Sequence, residues 1–170
     1  GSCDISINTQ RLKLSSSWDC DLEIWLNWMR DPNVNRYLVK GGSRYSMDDL
    51  KGFLNSTLND NRSLFFRIID KKTDQHIGNF NITKCDFPNA ICSIGLLIGQ
   101  REYQGKGYGQ ESTLAAFNFA FTVLGMKVIE FDVAVDNSAA VNMYLALECI
   151  PRKIPRAIKS HACSELEVDI

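Results

Sequence analysis

The sequence lacks an excess of charge of either sign, and it lacks a long apolar run. Its 19 Lys+Arg residues are balanced by 20 Asp+Glu residues, so the formal net charge of the 170-residue chain is −1. Such a chain has no general reason to bind nucleic acid or an anionic membrane. The longest apolar stretch, 91–99, is about half of the ~20 residues that a membrane helix needs. With no secretory signal visible, these absences predict a cytoplasmic protein that binds neither nucleic acid nor membrane.

Signals for a metal site or a disulfide framework are also scarce. The two histidines, His76 and His161, stand at no recognisable metal-ligand spacing, and no Cys-x-x-Cys pair occurs. We therefore predict no metal cofactor. Reduced cysteines that pack as small apolar side chains are favoured over a secreted disulfide framework. The six cysteines are Cys3, Cys20, Cys85, Cys92, Cys149 and Cys163.

No repeat, charge run or long Gly/Ser/Pro linker divides the chain, and its length is typical of one domain. A domain of this size buries roughly 70% of the surface that its unfolded chain exposes, which is enough for a core without disulfides. Gly1 and Ser2, which stand in place of an initiator Met, are expected to be a cloning remnant. The predicted single domain therefore spans 3–170.

Hydrophobic periodicity predicts an α+β fold with a mixed, mainly antiparallel central sheet flanked by helices. Ser46 and Asp49 resemble a capping box that opens a helix, and the Asp31-Pro32 step ends the helix before it. Three strands with short turns predict an antiparallel meander. Residues 94–98 are apolar nearly throughout, so we expect them to be buried on both faces. The predicted strands are 11–14, 64–69, 76–83, 91–98, 128–135, 154–159 and 163–169, and helices are predicted after Gly109 and over 138–147.

The segment 104–109, QGKGYG, lies between a predicted strand and a predicted helix. Alternating glycines allow positive φ angles, and successive N–H groups at a helix N-terminus bind anions. The segment therefore indicates a phosphate or diphosphate site. Its spacing does not fit a Walker A loop, since Gly107 stands where the hydroxyl residue is needed, and Gln110 breaks the dinucleotide fingerprint.

Three motifs in consistent order resemble the GNAT superfamily of acyl-CoA N-acyltransferases. The segment 104–109 matches its [RQ]-x-x-G-x-[GA] signature. Asn137, Ala140, Val141 and Tyr144 match its later N-x-x-[SA]-[IV]-x-x-Y pattern. The segment 28–38 is similar to the W-x-x-D-P-x-V-x-x-Y-L segment of the ribosomal-protein N-terminal acetyltransferase-like branch. Together the three motifs extend over nearly the whole chain.

This resemblance implies a fold and a set of site residues. A bulge in the strand that ends at Ile98 would splay it from the strand after Lys127, and pantetheine would enter between the two strands. Tyr144 would be the catalytic acid that protonates the departing sulfur, and Asn137 would contact the pantetheine arm. No metal ligand is implied. The implied cofactor-binding residues are Leu97, Ile98, Gln104, Gly105, Lys106, Gly107, Tyr108, Gly109 and Asn137.

The implied reaction is direct acetyl transfer from acetyl-CoA to a primary amine, which must be neutral to attack. The acceptor is expected to be a small molecule, with amino-sugars slightly favoured, or a protein N-terminus. A polyamine is disfavoured because no acidic cluster is visible in the sequence. An aminoglycoside acceptor, a non-catalytic acyl-CoA-binding sensor or partner module, and a homodimer remain open alternatives.

No general base can be assigned from the resemblance. Many relatives carry a Glu on the strand before the glycine loop, but residues 92–94 here are Cys-Ser-Ile. Asp86, Glu130 and Asp132 are interpreted as solvated or structural carboxylates, and a water chain would then accept the proton. Trp28 and Tyr37 are interpreted as core residues, with the border of the acceptor pocket as the alternative.

Overall fold

The computed structural model describes residues 4–20, 22–38, 45–152 and, as backbone, 163–169. These residues form the predicted α+β fold. The described strands are β1 (Ser6–Asn8), β2 (Leu12–Ser15), β3 (Leu64–Asp70), β4 (His76–Asp86), β5 (Ile91–Ile98), β6 (Val128–Ala134), β7 (Ile150–Arg152) and β8 (Cys163–Asp169). The described helices are α1 (Glu23–Arg30), α2 (Pro32–Asn35), α3 (Met47–Leu58), α4 (Tyr108–Thr122) and α5 (Ser138–Ala146), with a 3-10 turn at Arg101–Tyr103.

The described strands form one sheet in the order β1-β2-β3-β4-β5-β6-β8-β7. Within it β5 and β6 run parallel, and the other neighbours pair antiparallel. The meander predicted from the sequence is β3-β4-β5. The strand predicted at 154–159 lies outside the described residues. The sheet is therefore mixed and mainly antiparallel, as predicted.

Local sequence signals explain several helix boundaries. The Ser46 side chain accepts from the Asp49 N–H, and the Asp49 carboxylate accepts from the Ser46 N–H, so the predicted capping box is confirmed. Asp31 ends α1 in an extended conformation and caps α2 by accepting from the Asn33 N–H. Pro32 stands at the first position of α2, where its missing N–H is not needed.

The sheet separates two hydrophobic clusters. The larger cluster packs α4 and α5 on one face, and the smaller packs α1 and α3 on the other. Since side chains alternate along a strand, β3 contributes to both clusters, with Phe66 and Ile68 in the larger and Phe65 in the smaller. Fully burying one Phe or Ile side chain stabilises the fold by roughly 1.5–3 kcal/mol. The fully buried strand residues under α4 and α5 include Phe66, Ile68, Phe80, Ile82 and Ile129.

The prediction that 94–98 is buried on both faces is wrong. Ile94 is 7% exposed, but Gly95, Leu96, Leu97 and Ile98 are half-buried. The reason is that β6 pairs with the start of β5 and then leaves it. Beyond Ser93, therefore, none of the described strands pairs with the edge of β5 that faces β6.

The predicted bulge lies in a different strand. Thr83 pairs with Ser93 and Asp86 with Ile91, so two residues of β4 stand opposite Cys92 of β5. Lys84, in the bulge, has a φ of +53°. An extra residue increases the local twist of a strand pair. The bulge in β4 therefore bends the sheet at the level where β5 begins to leave β6.

Among the described residues, no helix is long and apolar enough to cross a membrane. Cys85, Cys92 and Cys149 are buried in the larger cluster. Burial raises the pKa of Cys92 to about 12 and that of Cys149 to about 11. These thiols stay protonated and pack as apolar groups, so they are poor nucleophiles.

Candidate active site

The parallel strands β5 and β6 pair over three residues and then separate. The register runs from Ile91 opposite Val128 to Ser93 opposite Glu130, where it stops. Beyond that point β5 continues beside β4, and β6 continues beside β8. A gap opens between the carboxyl halves of β5 and β6. It is the splayed strand pair predicted from the sequence.

The peptide groups of Leu96 and Ile98 point into this gap. The Gly99 N–H donates to the Ile77 carbonyl at 3.0 Å, so these two residues form a hydrogen-bonded pair in continuation of the β4–β5 ladder. Hydrogen-bonded and non-hydrogen-bonded pairs alternate along an antiparallel ladder. The peptide groups of Leu97 therefore bond to β4, while those of its two neighbours face away from β4.

Gln104 links the glycine loop to the end of β5. Its Nε2 donates to the Ile98 carbonyl at 2.9 Å. This bond agrees with an Ile98 carbonyl that points into the gap. A carbonyl that bonded to β4 would point away from Gln104. Gln104 therefore lies where the gap meets the glycine loop.

The glycine loop presents a row of backbone N–H groups. Gly105 and Gly107 have φ angles of +69° and +82°, a region that glycine enters without strain. Gly107 is the N-cap of α4, and its carbonyl accepts from the Glu111 N–H at 3.0 Å. Within the part of the chain that the structure describes, the N–H groups of 105–110 bond to no other group. Together with the positive end of α4 they form an anion site.

Helices α4 and α5 close one face of the gap. A Cβ placed on Gly109 would lie 3.6 Å from Leu96 and from Met143, and 3.8 Å from Ile98. The start of α4 therefore lies directly against the side chains on this face of β5. A molecule that enters between the strands therefore meets α4 and α5 on this side.

Tyr144 of α5 lies on the closed face. It is 5% exposed, and its ring centroid is 4.4 Å from that of Phe131 on β6. Burial raises the pKa of Tyr144 well above its ordinary value, and Cys149 raises it further, while the Thr113 side chain acts in the opposite direction. The phenol therefore keeps its proton at physiological pH.

Asn137 has the helix-capping role that the sequence allowed. Its side-chain oxygen accepts from the Ala140 N–H at 3.3 Å, which fixes the start of α5. The side-chain nitrogen is not used in this bond. Asn137 therefore holds α5, and with it Tyr144, at the end of β6.

Arg11 and Glu111 belong to the site and were not found from the sequence. The Arg11 Nε donates to Glu111 Oε1 at 2.7 Å, and the backbone N–H of Arg11 and the hydroxyl of Thr9 both donate to Oε2. Arg11 Nη1 also donates to the Lys106 carbonyl at 3.1 Å. The turn between β1 and β2 therefore holds the glycine loop. No sequence signal connects residues that are 100 positions apart.

Trp28 is a core residue, as the sequence favoured. It is 4% exposed, and its ring fills the space beside Gly99, where a Cβ would lie only 2.0 Å from a ring atom. Its Nε1 donates to Gln100 Oε1 at 2.9 Å. Arg101 pairs with Asp31 at 3.5 Å. The front helices therefore hold the segment that joins β5 to the glycine loop.

Two carboxylates lie on the open face of β6. Glu130 and Asp132 alternate with the buried residues of this strand and are exposed. Glu130 pairs in register with Ser93 and forms an ion pair with Arg152 at 2.8 Å. Both carboxylates were expected to be solvated or structural, and both are exposed, with Glu130 in an ion pair.

Splayed strands, backbone N–H groups at the start of a helix and a buried tyrosine are the features that the resemblance implies for an acyl-CoA-dependent acyltransferase. The sequence matches the family "Acetyltransferase (GNAT) domain" over residues 11–149. The chain belongs to this family and is therefore an acetyl-CoA-dependent N-acetyltransferase.

Individual relatives agree with this assignment. The chain is 26% identical over 144 residues to an uncharacterized N-acetyltransferase, p20, from Bacillus licheniformis, covering 84% of this chain and 80% of that protein. It is 28% identical over 99 residues to spermidine N(1)-acetyltransferase from Vibrio cholerae, covering 58% of this chain and 56% of the relative.

Solved structures share the fold at low identity. A spermidine N-acetyltransferase from Vibrio cholerae in complex with CoA and spermine has a TM-score of 0.81 at 22% identity, covering 95% of this chain and 96% of that one. A candidate ribosomal-protein-serine acetyltransferase from Vibrio cholerae has a TM-score of 0.78 at 21% identity, covering 98% of each chain.

Proposed function

We propose that the chain binds acetyl-CoA across the gap and the glycine loop. The free N–H groups of 105–110 suit a diphosphate, since they are donors gathered at the positive end of α4. The peptide groups of Leu96 and Ile98 suit pantetheine, since they face a gap that none of the described strands fills. The contact with pantetheine that the resemblance implied at Leu97 is therefore proposed at Leu96 instead, because the peptide groups of Leu97 bond to β4. The contact at Ile98 is retained.

The remaining cofactor-binding residues divide by role. Gly105, Gly107 and Gly109 supply backbone, and Lys106 and Tyr108 contribute their N–H groups beside them. Gln104 would act by holding the end of β5 against the loop. Asn137 would offer its side-chain nitrogen to the pantetheine arm while its oxygen caps α5.

We propose Tyr144 as the general acid of the reaction. Bound acetyl-CoA supplies the acetyl group as a thioester. The Tyr144 hydroxyl holds a proton at Oη and gives it to the sulfur as the thioester bond breaks. Burial keeps this proton in place at physiological pH. Backbone N–H groups on the gap side of β5 would stabilise charge that develops on the acetyl oxygen.

The proposed acceptor is the primary amine of a small, cationic molecule, with a polyamine as the leading candidate. This proposal rests on Asp132, an exposed carboxylate of β6 that attracts a positively charged chain; Glu130, which is paired with Arg152, lies on the same face. The sequence alone disfavoured a polyamine because no acidic cluster was visible. Because side chains alternate along a strand, Glu130 and Asp132 lie on the same face of β6. The spermidine acetyltransferases among the relatives lend further support.

An acceptor panel tests the proposal. Release of free CoA is measured with spermidine, an amino-sugar, an N-terminal peptide and an aminoglycoside. The highest kcat/KM is expected with spermidine. A clear preference for another acceptor would refute the polyamine proposal, and tight acetyl-CoA binding without any turnover would favour the non-catalytic sensor.

The carboxylates are tested by a matched pair of variants. Asp132→Asn is expected to raise the KM for spermidine roughly fivefold, which corresponds to about 1 kcal/mol for a partly screened charge. Asp74→Asn removes the same charge in an exposed turn between β3 and β4 and should leave KM unchanged. Equal effects of the two variants would mean that only net charge matters.

A further inference from the structure

The Arg11 side chain lies in a fixed orientation over the glycine loop. Its Nε donates to Glu111 Oε1 at 2.7 Å and its Nη1 to the Lys106 carbonyl at 3.1 Å. The guanidinium carbon lies 3.9 Å from the centroid of the Tyr108 ring. Two hydrogen bonds and one stacking contact leave the plane of the guanidinium little freedom.

The third nitrogen of Arg11 is available to a ligand. Nη2 lies 3.4 Å from the position that a Cβ on Gly107 would occupy. The Arg11 side chain is 39% exposed, and Tyr108 also interacts with it through a side-chain hydrogen bond. Gly107 is also the N-cap of α4, where the free backbone N–H groups gather. Nη2 therefore lies at the edge of the anion site.

The positive charge of Arg11 offsets the negative charge of Glu111 beside the anion site. Burial would raise the pKa of the Glu111 carboxyl, but hydrogen bonds from Thr9 and Arg11 outweigh it and hold the pKa below its usual value. Glu111 is therefore ionised in the first turn of α4, close to the place proposed for a diphosphate. An unpaired carboxylate would repel that anion, and Arg11 neutralises it.

We propose that Arg11 is a ligand of the CoA diphosphate and donates from Nη2 to a phosphate oxygen beside Gly107. This inference rests on the proposed function of the glycine loop. The backbone N–H groups bind the diphosphate by position, and Arg11 adds the full positive charge that they lack. The residue would distinguish CoA from a pantetheine fragment that carries the thiol arm alone.

Calorimetric titration with two ligands tests this role. CoA and pantetheine are titrated into the wild-type chain and into Arg11→Gln and Arg11→Lys variants. Arg11→Gln should weaken CoA binding roughly 10- to 100-fold, the range for losing a hydrogen bond to a charged group. Pantetheine binding should change less than about twofold. Arg11→Lys keeps the charge without the fork, so its CoA affinity should be intermediate.

One control separates recognition from folding. Lys13→Gln removes the same charge from an exposed position on β2 and should leave CoA binding unchanged. Equal loss of CoA and pantetheine binding in Arg11→Gln would reduce Arg11 to a structural clamp, and unchanged CoA binding would remove it from the site; either result would overturn the proposal. A wild-type chain that binds pantetheine but not CoA would overturn the proposed diphosphate site as well.

Discussion

At the scale of single residues, Tyr144 is the side chain on which the proposed chemistry depends most. Tyr144→Phe removes the hydroxyl and leaves the ring that packs on Phe131. We expect kcat to fall by about two orders of magnitude, the lower range for general acid catalysis, while the Kd for CoA stays nearly constant. Thiol release and calorimetric titration measure the two quantities.

Tyr103→Phe is the matched control for this substitution. The Tyr103 hydroxyl donates to Asp70 at 2.7 Å, away from the gap. Its loss should cost about 1 kcal/mol of stability and leave kcat unchanged. An unchanged kcat in Tyr144→Phe would remove this residue from the mechanism.

Residue roles could be predicted from the sequence only where a motif carries them. The spacing from Asn137 to Tyr144 fixes a cap and a buried side chain on one short helix, so the motif located both residues. The contact between Arg11 and Glu111 joins a hairpin turn to a helix and depends on how two distant elements pack. Packing of this kind leaves no periodic signal, and these residues required the structure.

At the scale of elements, the glycine loop depends on backbone conformation more than on space. A Cβ on Gly105 would meet nothing within 4 Å, yet φ is +69°. Gly105→Ala should therefore lower the free energy of unfolding by about 1–2 kcal/mol, the cost of a left-handed conformation for a non-glycine residue. Urea denaturation measures the change.

Gly52→Ala gives the opposite sign. Gly52 lies inside α3, where φ is ordinary and a Cβ also meets nothing within 4 Å. This substitution should raise the free energy of unfolding by about 0.5–1 kcal/mol, because alanine has the higher helix propensity. If both variants shifted stability in the same direction, conformation would not be the deciding factor at Gly105.

Amide hydrogen exchange in β5 tests whether the cofactor pairs with the peptide groups of this strand. Leu97 bonds to β4, whereas Leu96 and Ile98 face the gap. Saturating CoA should slow the amide hydrogen exchange of Leu96 and Ile98 strongly, and should change the already protected Leu97 much less. Equal slowing at the three positions would contradict the proposed pairing of the cofactor with this edge.

The same strand marks the limit of prediction from sequence for whole elements. An apolar run from 94 to 98 is typical of a strand covered on both sides, and the existence of the strand was predicted correctly. Its half-exposure depends on where β6 stops pairing with β5, and therefore on the path of a different element. Periodicity within one segment does not report such a relation.

At the scale of the whole molecule, His76 sets a pH dependence of stability. It contacts the rings of Trp18 and Trp28, and burial lowers its pKa from 6.5 to about 4. The unfolded chain binds this proton near pH 6.5 and the folded chain does not until about pH 4. Stability should therefore be full above about pH 6.5 and should fall as the pH drops, by at most about 3 kcal/mol from this group.

Urea midpoints measured between pH 4.5 and 7.5 give the slope for this window. His76→Gln removes the titrating group, so the variant should show a flatter profile even if its absolute stability is lower. The carboxyls whose pKa is lowered in the folded chain, among them Asp70, lose their stabilising charge only at more acidic pH. A variant with the wild-type slope would assign the pH dependence to other groups.

The gap between β5 and β6 also gives the sheet an edge in its interior. Edges with free peptide groups and apolar side chains pair readily with other chains, and proteins normally guard them with charges, prolines or short strands. The half of β5 that faces the gap, Gly-Leu-Leu-Ile, carries none of these protections. Bound CoA would therefore act as a shield against self-association as well as an acetyl donor. The protein should then be least soluble at the moment when its cofactor has departed.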